Sequence, residues 1–348
     1  MQAVTVVPKQ ASSAEVTDVP DPVPSEGTVL VETLAVGVCG TDMEIVRGDY
    51  GWLPPGRDRL VLGHESLGRV VEAPTGTGLA AGDLVVGIVR RPDPVPCYSC
   101  AVGEWDACRN GRYTEHGIKE LDGFMRERWR AQPDAMVKVD PELGLLGVLL
   151  EPTTVVAKAW DEIERVGNRE TWKPRTVVVA GAGPIGLLAA LLGLERGYEI
   201  HVVDQMADGV KPDLVRALGA EYHAGRVGDA VDSPDVVVEC TGVPQLVVDS
   251  VAAVGVGGVV CLTGVSPEGV DVTLDAGSLA RRMVLQNTCV VGSVNANRRH
   301  YEAGAQALAR ADHDWLARLV TRRIPLEHFA DALTHGPDDV KVVVEIGS

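Results

Sequence analysis

The chain has 348 residues, 45% of them hydrophobic, and a formal net charge of −17 at pH 7. That length exceeds what one hydrophobic core usually supports and calls for two domains. The acidic balance excludes partners bound through nucleic-acid phosphates or anionic membrane headgroups, which need clustered Lys and Arg.

From residue 1 to about 150 the sequence reads as short strands broken by Pro and Gly, with runs at 27–38, 67–72 and 83–89, the spacing of a mostly antiparallel β unit. The first 30 residues show no basic start followed by an apolar stretch, which makes the cytoplasm the expected compartment. The first run leads into Val38-Cys39-Gly40-Thr41-Asp42, and Leu62-Gly63-His64-Glu65 stands just before the second. A catalytic zinc takes three protein ligands and leaves one position open, so a thiolate, an imidazole and a carboxylate suffice. Cys39 and His64 supply the first two, Glu65 and Glu151 are both candidates for the oxygen ligand, and Asp42 is a candidate to orient the His64 ring. Alone, Cys39 would read as a buried thiol and His64 as a structural histidine; their joint occurrence points to a metal. Cys97, Cys100 and Cys108 cluster further on, whereas Cys240, Cys261 and Cys289 lie in apolar runs and read as small buried hydrophobes. Seven cysteines, an odd number, argue against a disulfide framework.

After Glu151 the pattern changes. Residues 153–165 are patterned as a helix, and Val-rich runs without polar alternation at 176–180, 200–204, 235–240, 258–263 and 289–294 read as parallel strands covered on both faces. Helical stretches, including 185–196 and 212–218, separate several of them. The uncharged stretch 177–194 has 18 residues, long enough for a membrane span, but Gly181, Gly183, Pro184 and Gly186 interrupt it, so a strand, a turn and a buried helix are expected.

The run Gly181-Ala182-Gly183-Pro184-Ile185-Gly186 is a dinucleotide fingerprint in its proper setting, after a strand and opening a helix. Gly181 permits the turn, Gly183 admits the pyrophosphate to the backbone, and Gly186 allows helix and strand to pack closely. Pro184 and Ile185 begin the helix whose N-terminus faces the phosphates, and Thr263 and Val265 complete the expected cofactor contacts. Asp204, 23 positions after Gly181, is placed to accept the adenosine ribose hydroxyls and to repel a 2′-phosphate. Gln205 and Met206 follow it in place of an Arg, which favours NAD over NADP, although Lys211 is near enough to reach a phosphate. Beyond about 297 the chain returns to helical and extended segments. The expected domains are 1–154 with 297–348, and 155–296.

On these motifs the chain resembles, over nearly its whole length, the zinc-dependent medium-chain dehydrogenase/reductase superfamily. Within it the chain is similar to the microbial glucose dehydrogenase branch at Cys39-Gly40-Thr41-Asp42, Arg90-Arg91, Asp122-Gly123-Phe124-Met125 and Gly292-Ser293-Val294-Asn295. The resemblance implies an α/β protein with a GroES-like, mostly antiparallel β catalytic domain and a doubly wound Rossmann domain. It assigns Cys39, His64, Glu65 and Glu151 to the catalytic zinc environment, the Thr41 hydroxyl to the start of a proton relay, and Glu115 and Asn295 to sugar hydroxyls. Glu44 stands where many alcohol dehydrogenases have a relay histidine. His116, Asn297 and His300 read as surface polar residues in reach of the substrate. Relatives with a structural zinc show Cys-x2-Cys-x2-Cys-x7-Cys; here Pro94 takes the first place, so Cys97, Cys100 and Cys108 either recruit Asp93 as fourth ligand or form a metal-free lobe. The implied activity is oxidation of a sugar hydroxyl, an aldose such as glucose at C1 giving a lactone, with Zn2+ and NAD or NADP, in a homodimer or homotetramer. Rivals are a dehydrogenase of another polyol, cyclitol or modified sugar, a zinc-free quinone or enoyl reductase, and an NAD sensor without turnover.

Overall fold

A computed structural model describes residues 1–347. The chain divides into two compact units, one built from Met1–Glu151 with Ala296–Ser348, the other from Pro152–Asn295.

The first unit is organised around the strand Val29–Val38, whose sequence VLVETLAVGV keeps nearly every side chain buried. It pairs antiparallel with Glu65–Glu72 on one side and with Lys341–Glu345 on the other. Leu84–Gly87 and Met136–Lys138 extend one flank of this seven-stranded sheet, Val320–Pro325 extends the other, and Arg128–Ala131 pairs with the first half of the central strand. Val31, Val36, Val85, Met125, Met136 and Val342 fill the core around Trp129 and Phe124, whose rings lie 4.8 Å apart. Removing each such side chain from water contributes roughly 1.5–3 kcal/mol. The register sets Gly37 opposite Glu65 and Val38 opposite Val342, so three strands that are distant in sequence end together beside Cys39.

The second unit is a six-stranded parallel sheet in the order Glu221–Ala224, Glu199–Asp204, Thr176–Ala180, Val236–Glu239, Val259–Leu262, Cys289–Gly292. Counted along the chain this is 3-2-1-4-5-6, the doubly wound order that places a dinucleotide over the first strand's C-terminal end. Five of the strands coincide with the Val-rich runs. The sixth, Glu221–Ala224, escapes sequence reading because an edge strand needs no apolar continuity, and EYHA has little. The 177–194 stretch resolves into Thr176–Ala180, a turn and the helix Pro184–Glu195, which is buried from Gly186 to Gly193. Among the described residues one helical stretch, Pro141–Gly167, is long and apolar enough to cross a membrane, and 72% of its most apolar window is buried inside the protein.

Candidate functional site

Cys39 follows the central strand of the first unit and caps the helix Gly40–Arg47. Asp42, fully buried in the first turn, directs its carboxylate back: Oδ2 accepts the Cys39 N–H at 2.9 Å, and Oδ1 stands 3.4 Å from His64 Nδ1. Neither Oδ1 nor Nδ1 has a well-aligned hydrogen-bond partner, so the contact between them is mainly electrostatic. Burial alone would depress the His64 pKa, but Asp42 and then Cys39 outweigh it and hold the ring well above the ordinary 6.5. Cys39 Sγ, a His64 ring nitrogen and a Glu65 oxygen converge within 4.8 Å.

Glu65 is fixed by a residue that sequence reading missed. Both its carboxylate oxygens accept hydrogen bonds from Lys341 Nζ at 2.7 Å, both side chains are 2% exposed, and Nζ also donates to the Val38 carbonyl at 3.2 Å. Lys341 heads the strand Lys341–Glu345, and its only sequence signal is a lysine opening an otherwise apolar run. Burial works against its charge, but Glu65 and Cys39 raise its pKa above the usual value. A Cβ on Gly37 would overlap Glu65 Oε2, so glycine there makes room for the carboxylate. Glu151 opens the helix Leu150–Gly167, outside the 4.8 Å cluster but in its field. Burial pushes its carboxyl up to about 7, with His64 and Lys341 opposing and Glu65 and Asp42 reinforcing.

This set of sulfur, nitrogen and oxygen donors, with a carboxylate behind the imidazole, fits zinc. Cys39, His64 and Glu65 would hold it, with Glu151 as the exchangeable fourth donor. Protons compete for the same atoms, because His64 and Glu151 both hold protons near neutrality in the metal-free site. Chelator competition on stripped enzyme is expected to show zinc affinity rising about tenfold or more per pH unit between pH 6 and 7.5, and less steeply above. A flat profile contradicts the ligand assignment.

Glu115 lies in the same unit as a buried partner of Arg90, whose Nε and Nη2 donate to Oε1 at 3.0 and 2.9 Å. The Tyr113 ring covers the Arg90 guanidinium at 3.7 Å, and the Tyr50 phenol has its pKa raised by burial and then by Glu115. Thr41, in the first helical turn after Cys39, is partly exposed. Asn295 closes the second unit in the left-handed region, at φ 63°. His116, Asn297 and His300 are not surface residues: all are at least 96% buried. His116 packs 4.3 Å from Phe124 with Nδ1 2.6 Å from the Asp122 carbonyl, Asn297 caps the helix Arg298–Arg310 and donates to Asp106 at 2.7 Å, and His300 accepts the Asn297 N–H at 3.2 Å. In a chain with two Phe, polar rings serve as packing material.

In the cysteine lobe the Cys97, Cys100 and Cys108 sulfurs lie within 4.8 Å of one another. The Arg109 N–H, 3.4 Å from Sγ, and then the Cys100 N–H lower the Cys97 thiol to about 6, while burial pushes Cys100 up to about 11. The Asp93 carboxylate lies outside this three-sulfur cluster. It accepts the Val95 N–H and the Asn110 amide, each at 2.8 Å, and only the Asp93 backbone N–H reaches Cys100.

In the second unit the fingerprint forms the turn between Thr176–Ala180 and Pro184–Glu195. A Cβ on Gly186 would overlap the Gly181 carbonyl, whereas one on Gly183 would meet nothing within 4 Å, which leaves that space to a ligand. Gly183 at the N-cap has no side chain to satisfy the first-turn N–H groups, and Pro184 and Ile185 follow it. Asp204 ends the strand Glu199–Asp204, where Oδ2 accepts the Ala182 N–H at 2.7 Å and Oδ1 the Gln205 N–H at 2.6 Å. Thr263 donates to the Glu239 carbonyl at 2.8 Å, and Val265 is 76% exposed. Sequence reading also missed Glu239, a fully buried carboxylate that accepts the Thr241 and Gly242 N–H groups at 2.7 and 3.1 Å and braces the loop after Val236–Glu239.

Two family models match the chain: residues 25–141 fit the alcohol dehydrogenase GroES-like domain and residues 144–346 the glucose dehydrogenase C-terminus. The chain is similar to the glucose 1-dehydrogenase of Methanocella arvoryzae, with 37% identity over 361 residues and 100% of both chains covered. It is also similar to glucose 1-dehydrogenase 1 of Caldivirga maquilingensis, with 41% identity and 99% of each covered. Among solved structures, Haloferax mediterranei glucose dehydrogenase in complex with NADP, Zn and gluconolactone matches with a TM-score of 0.92 at 33% identity over 100% of both chains.

Proposed function

The chain belongs to the glucose dehydrogenase family of the zinc-dependent medium-chain dehydrogenase/reductase superfamily, and from that membership we propose that it oxidises the C1 hydroxyl of an aldose, glucose first, to a lactone with NAD or NADP as hydride acceptor. The convergence of Cys39, His64 and Glu65 within 4.8 Å, in a chain similar over its full length to glucose 1-dehydrogenases, carries this reading. A zinc-free quinone or enoyl reductase, or a sensor without turnover, has no use for that donor set.

Bound at these residues, zinc supplies a Lewis acid for the substrate hydroxyl, and the dinucleotide supplies the hydride acceptor. The Thr41 hydroxyl accepts the substrate's proton as it releases its own towards solvent. Glu115, immobilised by Arg90, accepts hydrogen bonds from sugar hydroxyls, and Asn295 adds a second polar contact; a substrate that leaves such groups unpaired is rejected. Lys341 holds the Glu65 carboxylate in place through both oxygens. Gly181, Gly183, Pro184, Ile185 and Gly186 receive the pyrophosphate, Asp204 the ribose, and Thr263 and Val265 the nicotinamide end. Cys97, Cys100 and Cys108 hold a second, structural zinc whose fourth ligand comes from outside their set. The enzyme is read as a cytoplasmic homodimer or homotetramer that acts on a small sugar, with an acidic balance that disfavours nucleic acid and membrane.

The test is a panel of aldoses, polyols and cyclitols followed by NADH or NADPH absorbance, with both cofactors side by side. Aldoses are expected to react fastest and NAD to outperform NADP. Asp204→Ala is expected to shrink the NAD preference by roughly tenfold or more, since repulsion between two near-surface charges amounts to about 1–4 kcal/mol. Turnover of cyclitols or polyols without any aldose rate rejects the aldose assignment.

A further inference from the structure

Two neighbouring strands of the second unit repeat one pattern, Glu199-Ile200-His201 and Glu221-Tyr222-His223. Alternate residues of a strand share a face. The parallel register sets His201 opposite Glu221 and Val203 opposite His223, so both glutamates and both histidines gather on one side of the sheet. His201 Nδ1 lies 3.0 Å from His223 Nε2 and 3.5 Å from Glu221 Oε2, and His223 Nε2 lies 3.8 Å from Glu221 Oε1. Donors about 2.0–2.1 Å from a tetrahedral ion stand roughly 3.3 Å from one another, so these separations already have the dimensions of one face of a zinc site. On the other side of the His201 ring, Nε2 is 3.3 Å from Glu199 Oε1. A carboxylate in that position fixes the ring tautomer and presents the opposite nitrogen for coordination.

We propose that His201, His223 and Glu221 form a binding site for a divalent cation of the zinc class, separate from the dehydrogenase machinery, with Glu199 orienting His201 and a water completing the coordination. Two imidazoles and one carboxylate select zinc, cobalt or nickel over magnesium and calcium, which take oxygen ligands. His201 is 95% buried, whereas the glutamate side chains are 63% and 65% exposed, so the ion enters from solvent at the edge of the sheet. Once bound, it ties Glu221–Ala224 to the strand that ends in Asp204.

The experiment counts zinc by mass spectrometry after the full-length enzyme is dialysed against a zinc buffer. Wild type is expected to hold one equivalent more than His223→Ala. Should that variant fold poorly, His223→Gln keeps a hydrogen-bonding group beside His201 but is a poor zinc ligand, and it is expected to lose the same equivalent. Glu199→Gln is expected to retain the equivalent with about 10- to 100-fold weaker affinity. Equal zinc counts in wild type and in whichever His223 variant folds overturn the proposal and leave the His201–His223 contact as a hydrogen bond only.

Discussion

His64→Ala is expected to lower turnover by roughly 10³-fold or more, since a Lewis acid at the reacting oxygen contributes several kcal/mol and each 1.4 kcal/mol is a factor of ten. Cys39→Ser is expected to act in the same direction. The loss should fall on chemistry and metal content together and leave dinucleotide binding nearly intact, because the metal residues belong to the first unit and the fingerprint to the second. Turnover by steady-state absorbance, zinc per chain by mass spectrometry and NADH affinity by fluorescence titration separate these effects. A variant that loses cofactor binding and turnover in equal measure contradicts the assignment of His64 to the metal.

Lys341→Met is expected to destabilise the metal-free enzyme by about 3–5 kcal/mol, the usual consequence of stranding one charge of a buried pair. Both oxygens of Glu65 depend on Nζ, and neither residue is more than 2% exposed. For a unit of this size the melting temperature should drop by roughly 10 °C. The double change Lys341→Met with Glu65→Gln removes the stranded charge and should recover most of the loss, a coupling measurable in a double-mutant cycle. A single-variant loss under about 1 kcal/mol would show that Glu65 obtains its counter-charge elsewhere.

The local chemistry of the centre was legible in sequence because its donors stand in short motifs. Cys39 follows a β run and Asp42 lies one helical turn on, a spacing that allows the carboxylate to reach back to the Cys39 N–H. The fingerprint and Asp204 were legible for the same reason, since strand, turn and helix are contiguous. What escaped was set by long-range register. Lys341 and Glu65 are 276 residues apart and meet only because two strands pair with the same central one. The candidacy of Asp93 rested on adjacency in sequence, whereas the fold turns its carboxylate towards the Val95 N–H and the Asn110 amide. His116, Asn297 and His300 were misread because polarity is a poor guide to exposure in a core so short of phenylalanine. Glu221–Ala224 was missed because an edge strand carries no continuous apolar signal.

The interruption of the first unit by the whole of the second has a consequence for how the enzyme is made. A ribosome adding about 5–20 residues per second needs roughly 15–55 s to travel from Glu65 to Lys341, which lie 276 positions apart. Throughout that interval the nascent chain carries the acid without its ammonium partner, and the growing sheet lacks the strand that delivers it. A folded 152–295 is more compact than the same stretch unfolded, which shortens the effective tether between Glu65 and Lys341. The vectorial order of synthesis therefore completes the metal centre last, when Lys341 emerges and pairs with Glu65.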